Sequence, residues 1–170
     1  EYPRYHGMKY ESSITTVGDV QELLDDATLL LEYLVTDSTT YLFCIAREQY
    51  NVYPLPLRKA QLHNQIAKFR KALTNYSALT DDGAAAYKAY SEAAYWFYQQ
   101  LLEPVLKEQS HMEQLTIVAD AELGNLPFEA FLTESVDQAN YQQLPYLIQR
   151  YQLSYDFSTS LWLENQQSST

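Results

Sequence analysis

Along this chain the spacing of apolar positions switches from alternating to helical and back, and each switch marks an element boundary. The first eighteen residues, with Pro3, Gly7 and Gly18, sustain no periodicity and read as an arm. Asp19 then offers an N-cap to the short helix VQELL. Three β-rich runs follow, Ala27 to Val35, Thr39 to Ala46 and Asn51 to Leu57, separated by the turn-prone Thr36, Asp37 and Ser38 and by the polar Arg47, Glu48 and Gln49. Connections this short predict an antiparallel meander. In YLFCIA both alternating sets are apolar, Tyr41, Phe43 and Ile45 on one face and Leu42, Cys44 and Ala46 on the other, as in a strand covered on both sides.

From Arg58 the period becomes helical. Leu62, Ile66, Phe69 and Leu73 share one face, leaving Lys59, Lys68, Arg70 and Lys71 to solvent. SALTDDG breaks the pattern, and Thr80 or Asp81 is expected to cap a second helix from about Ala84 to Glu103, in which Tyr87, Tyr90, Ala94, Phe97 and Leu101 repeat the spacing. Pro104 ends or kinks it. This αα-hairpin leads into a strand, Leu115 to Ala119, and the order strand, helix, helix, strand predicts an α/β sheet. Beyond it come a turn segment NLPFEAFL, a polar loop from Thr133 to Gln143, an apolar-rich run from Tyr146 to Phe157 and a polar tail ENQQSST. One unit is predicted, divided as arm 1–18, short helix and meander 19–57, hairpin 58–108, strand-turn elements 114–162 and tail 163–170.

Charge narrows the possible partners. With 22 acidic against 11 basic residues the net charge is −11, which argues against nucleic acid and membrane surfaces, because both require clustered cations. The densest apolar run, TLLLEYLV, is too short to span a bilayer and is interrupted by Glu32. EYPRYHGMKYE has no charged-then-apolar signal pattern, and the single cysteine cannot form an internal disulfide, so a soluble cytoplasmic protein is expected.

Candidate chemistry is sparse. A catalytic cysteine needs a stabilised thiolate and an imidazole; Cys44 sits mid-strand among Leu42, Phe43 and Ile45 and reads as a core residue, unless one of the distant His6, His63 or His111 approaches in space. No histidine pair has helical ligand spacing, so neither a metal site nor a cofactor is predicted. Glu22, Asp25 and Asp26 lack calcium-loop spacing and read as a solvated turn. Asp120 follows the strand TIVA, where α/β sheets collect ligand sites; its plainer role is to cap the following turn. The sixteen tyrosines fall largely at core-like positions.

LTIVADAELGNLPFEAFL, Leu115 to Leu132, together with YLIQRYQLSYDFSTSLW, Tyr146 to Trp162, resembles the front part of the CHAT domain, a caspase- and separase-like cysteine peptidase module usually found behind tetratricopeptide repeats. YPRYHGMKYE followed by VQELLDDATLLLEYLVTDSTTYLFCIARE resembles the start of that domain, with Leu31, Glu32 and Tyr33 as its apolar-Glu-Tyr element. Where the family usually has Pro-Asp-Gly, this chain has Ala119, Asp120 and Ala121, followed by Leu126, Pro127, Phe128 and Glu129; Tyr155 and Ser158 match the family's strand ending in Tyr with a nearby Ser.

The resemblance implies a caspase-like (CHAT) partial α/β sandwich, with the N-terminal meander followed by the αα-hairpin and further strands. It places the catalytic His and Cys downstream of the matched elements, so no catalytic role passes to His6, His63, His111 or Cys44. Asp120, Pro127, Phe128, Glu129, Tyr155 and Ser158 are the family-motif scaffold residues. The implied role is a non-catalytic scaffold for a downstream catalytic portion, in contact with upstream tetratricopeptide repeats. The alternative is a stand-alone interaction or pseudoenzyme module binding a protein or peptide through an acidic, tyrosine-rich surface. Self-association is expected if truncation leaves a strand edge uncovered.

Overall fold

The computed structural model describes residues 14–74, 80–137 and 140–168. The N-terminal arm through residue 13, with His6, lies outside them. In chain order the elements are α1 (Val17–Leu23), β1 (Thr28–Val35), β2 (Thr40–Ile45), β3 (Tyr50–Leu55), α2 (Lys59–Thr74), α3 (Gly83–Leu101), the short α4 (Glu103–Leu106), β4 (Gln114–Val118), a series of 3-10 turns, β5 (Gln152–Asp156) and α5 (Thr159–Ser168). The five strands form one sheet in the order β3-β2-β1-β4-β5. β1 to β3 are an antiparallel meander, whereas β4 pairs parallel with both β1 and β5.

Strand alternation sorts side chains between two cores. Leu29, Leu31 and Tyr33 of β1, Leu42 and Cys44 of β2, and Leu115 and Ile117 of β4 point to the inner face, where the α2–α3 hairpin covers them. Leu62, Ile66 and Phe69 of α2 and Tyr87, Tyr90, Ala94, Phe97 and Leu101 of α3 supply the opposing side. Phe128 and Phe131, from the turns after β4, insert beneath the hairpin, and the Phe97 and Phe131 rings stack at 5.3 Å with Phe69 5.7 Å from Phe131. The outer face is smaller: Leu30, Ile45 and Val118 pack against Val20 and Leu24, in and just after α1, and Trp162 and Leu163 of α5.

Tyrosine has a specific use here, since its ring packs while its hydroxyl ties one element to another. The buried Tyr33 hydroxyl donates to the Leu101 carbonyl at the end of α3 (3.0 Å), which the helix itself leaves without a partner. Tyr90 donates to the Ala130 carbonyl (2.7 Å) and Tyr53 to the Glu108 carboxylate (2.7 Å).

Several local expectations are corrected. Asp19 is not the N-cap of α1. Thr16 is, its side chain accepting from Asp19 N while Asp19 returns a bond to Thr16 N, so Val17 and Gly18 belong to the helix. α3 is capped by Asp82 through Ala85 N, not by Thr80 or Asp81, and ends at Leu101, before Pro104, which falls in the first turn of α4 where a missing N–H costs nothing. Leu73 continues the α2 stripe into its last turn but is 41% exposed. The second face of β2 is covered only at one end, because Ile45 lies under the short outer helices while Phe43 is half-buried and Tyr41 exposed. The polar tail is helical through Ser168, held by Trp162 and Leu163 at its start.

Candidate functional site

Parallel strands place their carboxyl ends on one side of a sheet, and the connections leaving those ends gather the chemistry of an α/β fold. Here β1, β4 and β5 end together, and all six family-motif residues follow β4 or lie at the end of β5. Asp120 leaves β4 and turns back, its Oδ2 accepting from Val35 N at the end of β1 (2.9 Å). It makes no side-chain bond to the 3-10 turn that follows, so it joins two strand ends and does not cap. Ala121 has φ +50°, the left-handed region that favours glycine, at the position where the resemblance expects Gly. The backbone turn is made with alanine.

Downstream, Pro127 precedes a short 3-10 turn whose Phe128 is fully buried. Tyr155, near the end of β5, closes a three-membered arrangement, its hydroxyl donating to Glu129 Oε2 (2.7 Å) and accepting from Phe128 N (3.2 Å). Burial, and then the Glu129 carboxylate it donates to, hold the Tyr155 phenol above its ordinary pKa. Ser158 Oγ accepts from Leu161 N (3.1 Å) in the first turn of α5, and the adjacent Thr159 hydroxyl donates to Glu32 Oε2 on β1 (2.8 Å). Thus Phe128, Glu129 and Tyr155 come together, while Asp120 and Ser158 make separate ties.

The other titratable candidates lie elsewhere. Cys44 is 3% exposed on the inner face of β2, and burial, followed by the Glu108 carboxylate, pushes its thiol up to about 12. A thiol so protonated is not a nucleophile near neutrality. His63, on α2, lies 2.9 Å from both oxygens of Glu122 in the turn after Asp120, and both side chains are largely exposed. His111 is exposed ahead of β4, and Glu22, Asp25 and Asp26 are exposed around the end of α1. Among the described residues no group of three His, Cys, Asp or Glu side chains is placed to hold a metal ion, and no helix is long and apolar enough to cross a membrane.

Covalent catalysis would need a nucleophile, an adjacent base and oxyanion donors converging on one point. The motif residues supply instead bonds that fix the connections at the strand ends, with the Ser158 hydroxyl committed to a helix amide. Two ties escaped sequence reasoning, Thr159 to Glu32 and His63 to Glu122. A lone carboxylate inside TLLLEYLV signals a partner for the first, whereas the second joins residues 59 apart with no local pattern.

No curated protein matches this chain. Residues 91–170, which run from within α3 through β4, the 3-10 turns, β5 and α5, match the family model of the CHAT domain, and every motif residue from Asp120 to Ser158 falls inside that match.

Proposed function

We propose that this chain is the non-catalytic scaffold of a CHAT-type cysteine peptidase, acting in the cytoplasm, whose catalytic His and Cys lie in a portion downstream of α5. The carrying observation is the family match over 91–170, a stretch without cysteine in which Asp120, Glu129 and Tyr155 fasten the strand ends. In this role β1, β4 and β5 form the rigid base of the active region. The edge of β5 not paired with β4 offers unpaired backbone groups for a further strand.

The test is to incubate the chain with a peptide library alone and with a separately produced downstream portion. The chain alone is expected to give no turnover. Adding the downstream portion is expected to give cleavage that survives Cys44→Ala here and disappears when the added portion's own cysteine is changed. Turnover by the chain alone that Cys44→Ala abolishes would sink the proposal.

A second reading, a protein-interaction module, is favoured by the outer face of the meander. Leu34, Tyr41, Tyr50 and Val52 are 36–46% exposed on neighbouring strands, an apolar surface suited to upstream tetratricopeptide repeats or to self-association. Light scattering across a dilution series separates the readings: a monomer that captures the downstream portion supports the scaffold, and one that ignores it supports the module.

A further inference from the structure

The sheet has two edges, and they are built differently. β3 carries Pro54, which has no N–H to give a neighbouring strand and so guards its edge. β5, QLSYD, has no proline or lysine, and its single charge, Asp156, stands at its last position. Gln152 N donates to Glu113 O (2.8 Å), so along the parallel ladder Gln152, Ser154 and Asp156 turn their peptide groups to β4, and Leu153 and Tyr155 turn theirs outward. Among the described residues β5 pairs with β4 alone, which leaves the outward N–H and C=O groups unmet. α5 leaves β5 over the outer face, where Thr159 bonds Glu32 of β1, and does not cover the edge. Just past β5, Phe157 is 94% exposed.

We propose that β5 pairs antiparallel with β5 of a second copy, about a two-fold axis through Ser154, and joins two five-stranded sheets into one. A centre at Ser154 sets Leu153 against Tyr155 of the other copy, so every outward N–H finds an outward C=O. A centre at Leu153 or Tyr155 would call instead on Tyr151 N or Phe157 N, which already donate to Leu147 O (3.0 Å) and Asp156 Oδ1 (2.8 Å).

The side chains agree with that register. Leu153 meets Tyr155 on the inner face as an aliphatic–aromatic pair, and on the outer face the Gln152 amide meets the Asp156 carboxylate, with Ser154 against Ser154 between them. No like charges stand opposite each other, because the two Asp156 residues are offset by about 13 Å along the strands, beyond the ~8 Å screening length of physiological salt. Phe157 falls opposite Tyr151 of the second copy, so the pair shields a ring that the single chain leaves bare. A two-fold contact closes on itself, and Pro54 guards both far edges, so the product is a dimer. The inference does not rest on the peptidase reading; it implies that a strand from a downstream portion reaches β5 only after the copies part, as on dilution.

The whole chain is followed by sedimentation velocity across a dilution series, in which a monomer–dimer equilibrium without larger species is expected. Gln152 is exposed, so its variants keep the fold. Gln152→Glu sets like charges against Asp156 at both ends of the pair and is expected to weaken association about tenfold, whereas Gln152→Lys sets opposite charges there and should strengthen it by a similar factor. Val52→Lys, the same charge change on the outer face of β3, should associate as the parent does. Ser154→Cys reports the register: facing Cα atoms in such a pair lie about 4.5 Å apart, so oxidised glutathione, itself reduced, should link two copies through one disulfide. Gln152→Cys, with its two thiols about 13 Å apart along the strands, should not be linked. Cys44 is buried and does not compete. Four results overturn the proposal: a monomer at every concentration, association indifferent to both Gln152 changes, association lost in Val52→Lys, or linking at position 152 in preference to 154.

Discussion

On the inner face of the sheet Leu31 and Tyr33 are shut beneath the α2–α3 hairpin, while Leu34, one position further along the same strand, is 46% exposed on the outer face. The difference follows from what covers each side. The inner face lies under helices of 16 and 19 residues plus Phe128 and Phe131; the outer has helices of 7 and 10 residues, enough to shade Leu30, Ile45 and Val118 but not the far strands of the meander. Buried apolar area is what stabilises a sheet, so the two faces contribute unequally although their strands are equally regular. The inner face holds the fold, and part of the outer face stays available.

That inequality can be broken by mutation. Phe131→Ala removes a ring stacked on Phe97 in the inner core and is expected to cost about 3–5 kcal/mol in denaturant unfolding. A loss near 1 kcal/mol would mean that the inner core is loosely packed. Cys44→Ser, also on the inner face, should cost about 1–3 kcal/mol because it buries a more strongly polar hydroxyl in place of the thiol.

Native Cys44 should alkylate only as fast as the chain unfolds. Its thiol ionises near 9 when unfolded and near 12 when folded, so its contribution is fully present below pH 9 and is lost as pH rises toward 12. A stability difference between parent and Cys44→Ala that narrows over that window checks the sign. On the outer face Val52→Ala and Leu34→Ala should each change stability by less than about 0.5 kcal/mol. A cost of 2 kcal/mol there would show that the face is covered in solution, and the comparison between the faces would fail.

How much of this was legible depends on how local each cause is. The strands of the meander and the buried stripes of α2 and α3 could be read because burial imposes its period on the sequence. Thr16 and Asp19 form a reciprocal capping box, but Gly18 between them weakens the helical signal and left Asp19 looking like the start. α5 was missed because, after Trp162 and Leu163, ENQQS has no apolar stripe to betray a helix. At the site, the role of Asp120 depends on Val35, 85 residues earlier, and that of Tyr155 on Glu129 and Phe128. The motif could mark those residues as special; only the parallel pairing of β1, β4 and β5 supplies their partners.

The bond from Asp120 to Val35 also acts as a register stop. β1 and β4 meet through Leu29 opposite Leu115 and Leu31 opposite Ile117, so sliding one strand by two residues keeps every side chain on its own face and still sets Leu31 against Leu115. Apolar contacts alone therefore distinguish the two alignments poorly. A two-residue slip would carry the Asp120 carboxylate about 6–7 Å from the Val35 amide and leave both polar groups without a partner in a half-buried place. One short side chain thus gives a near-repetitive ladder a single alignment, and with it fixes where the ends of β4 and β5 stand relative to β1.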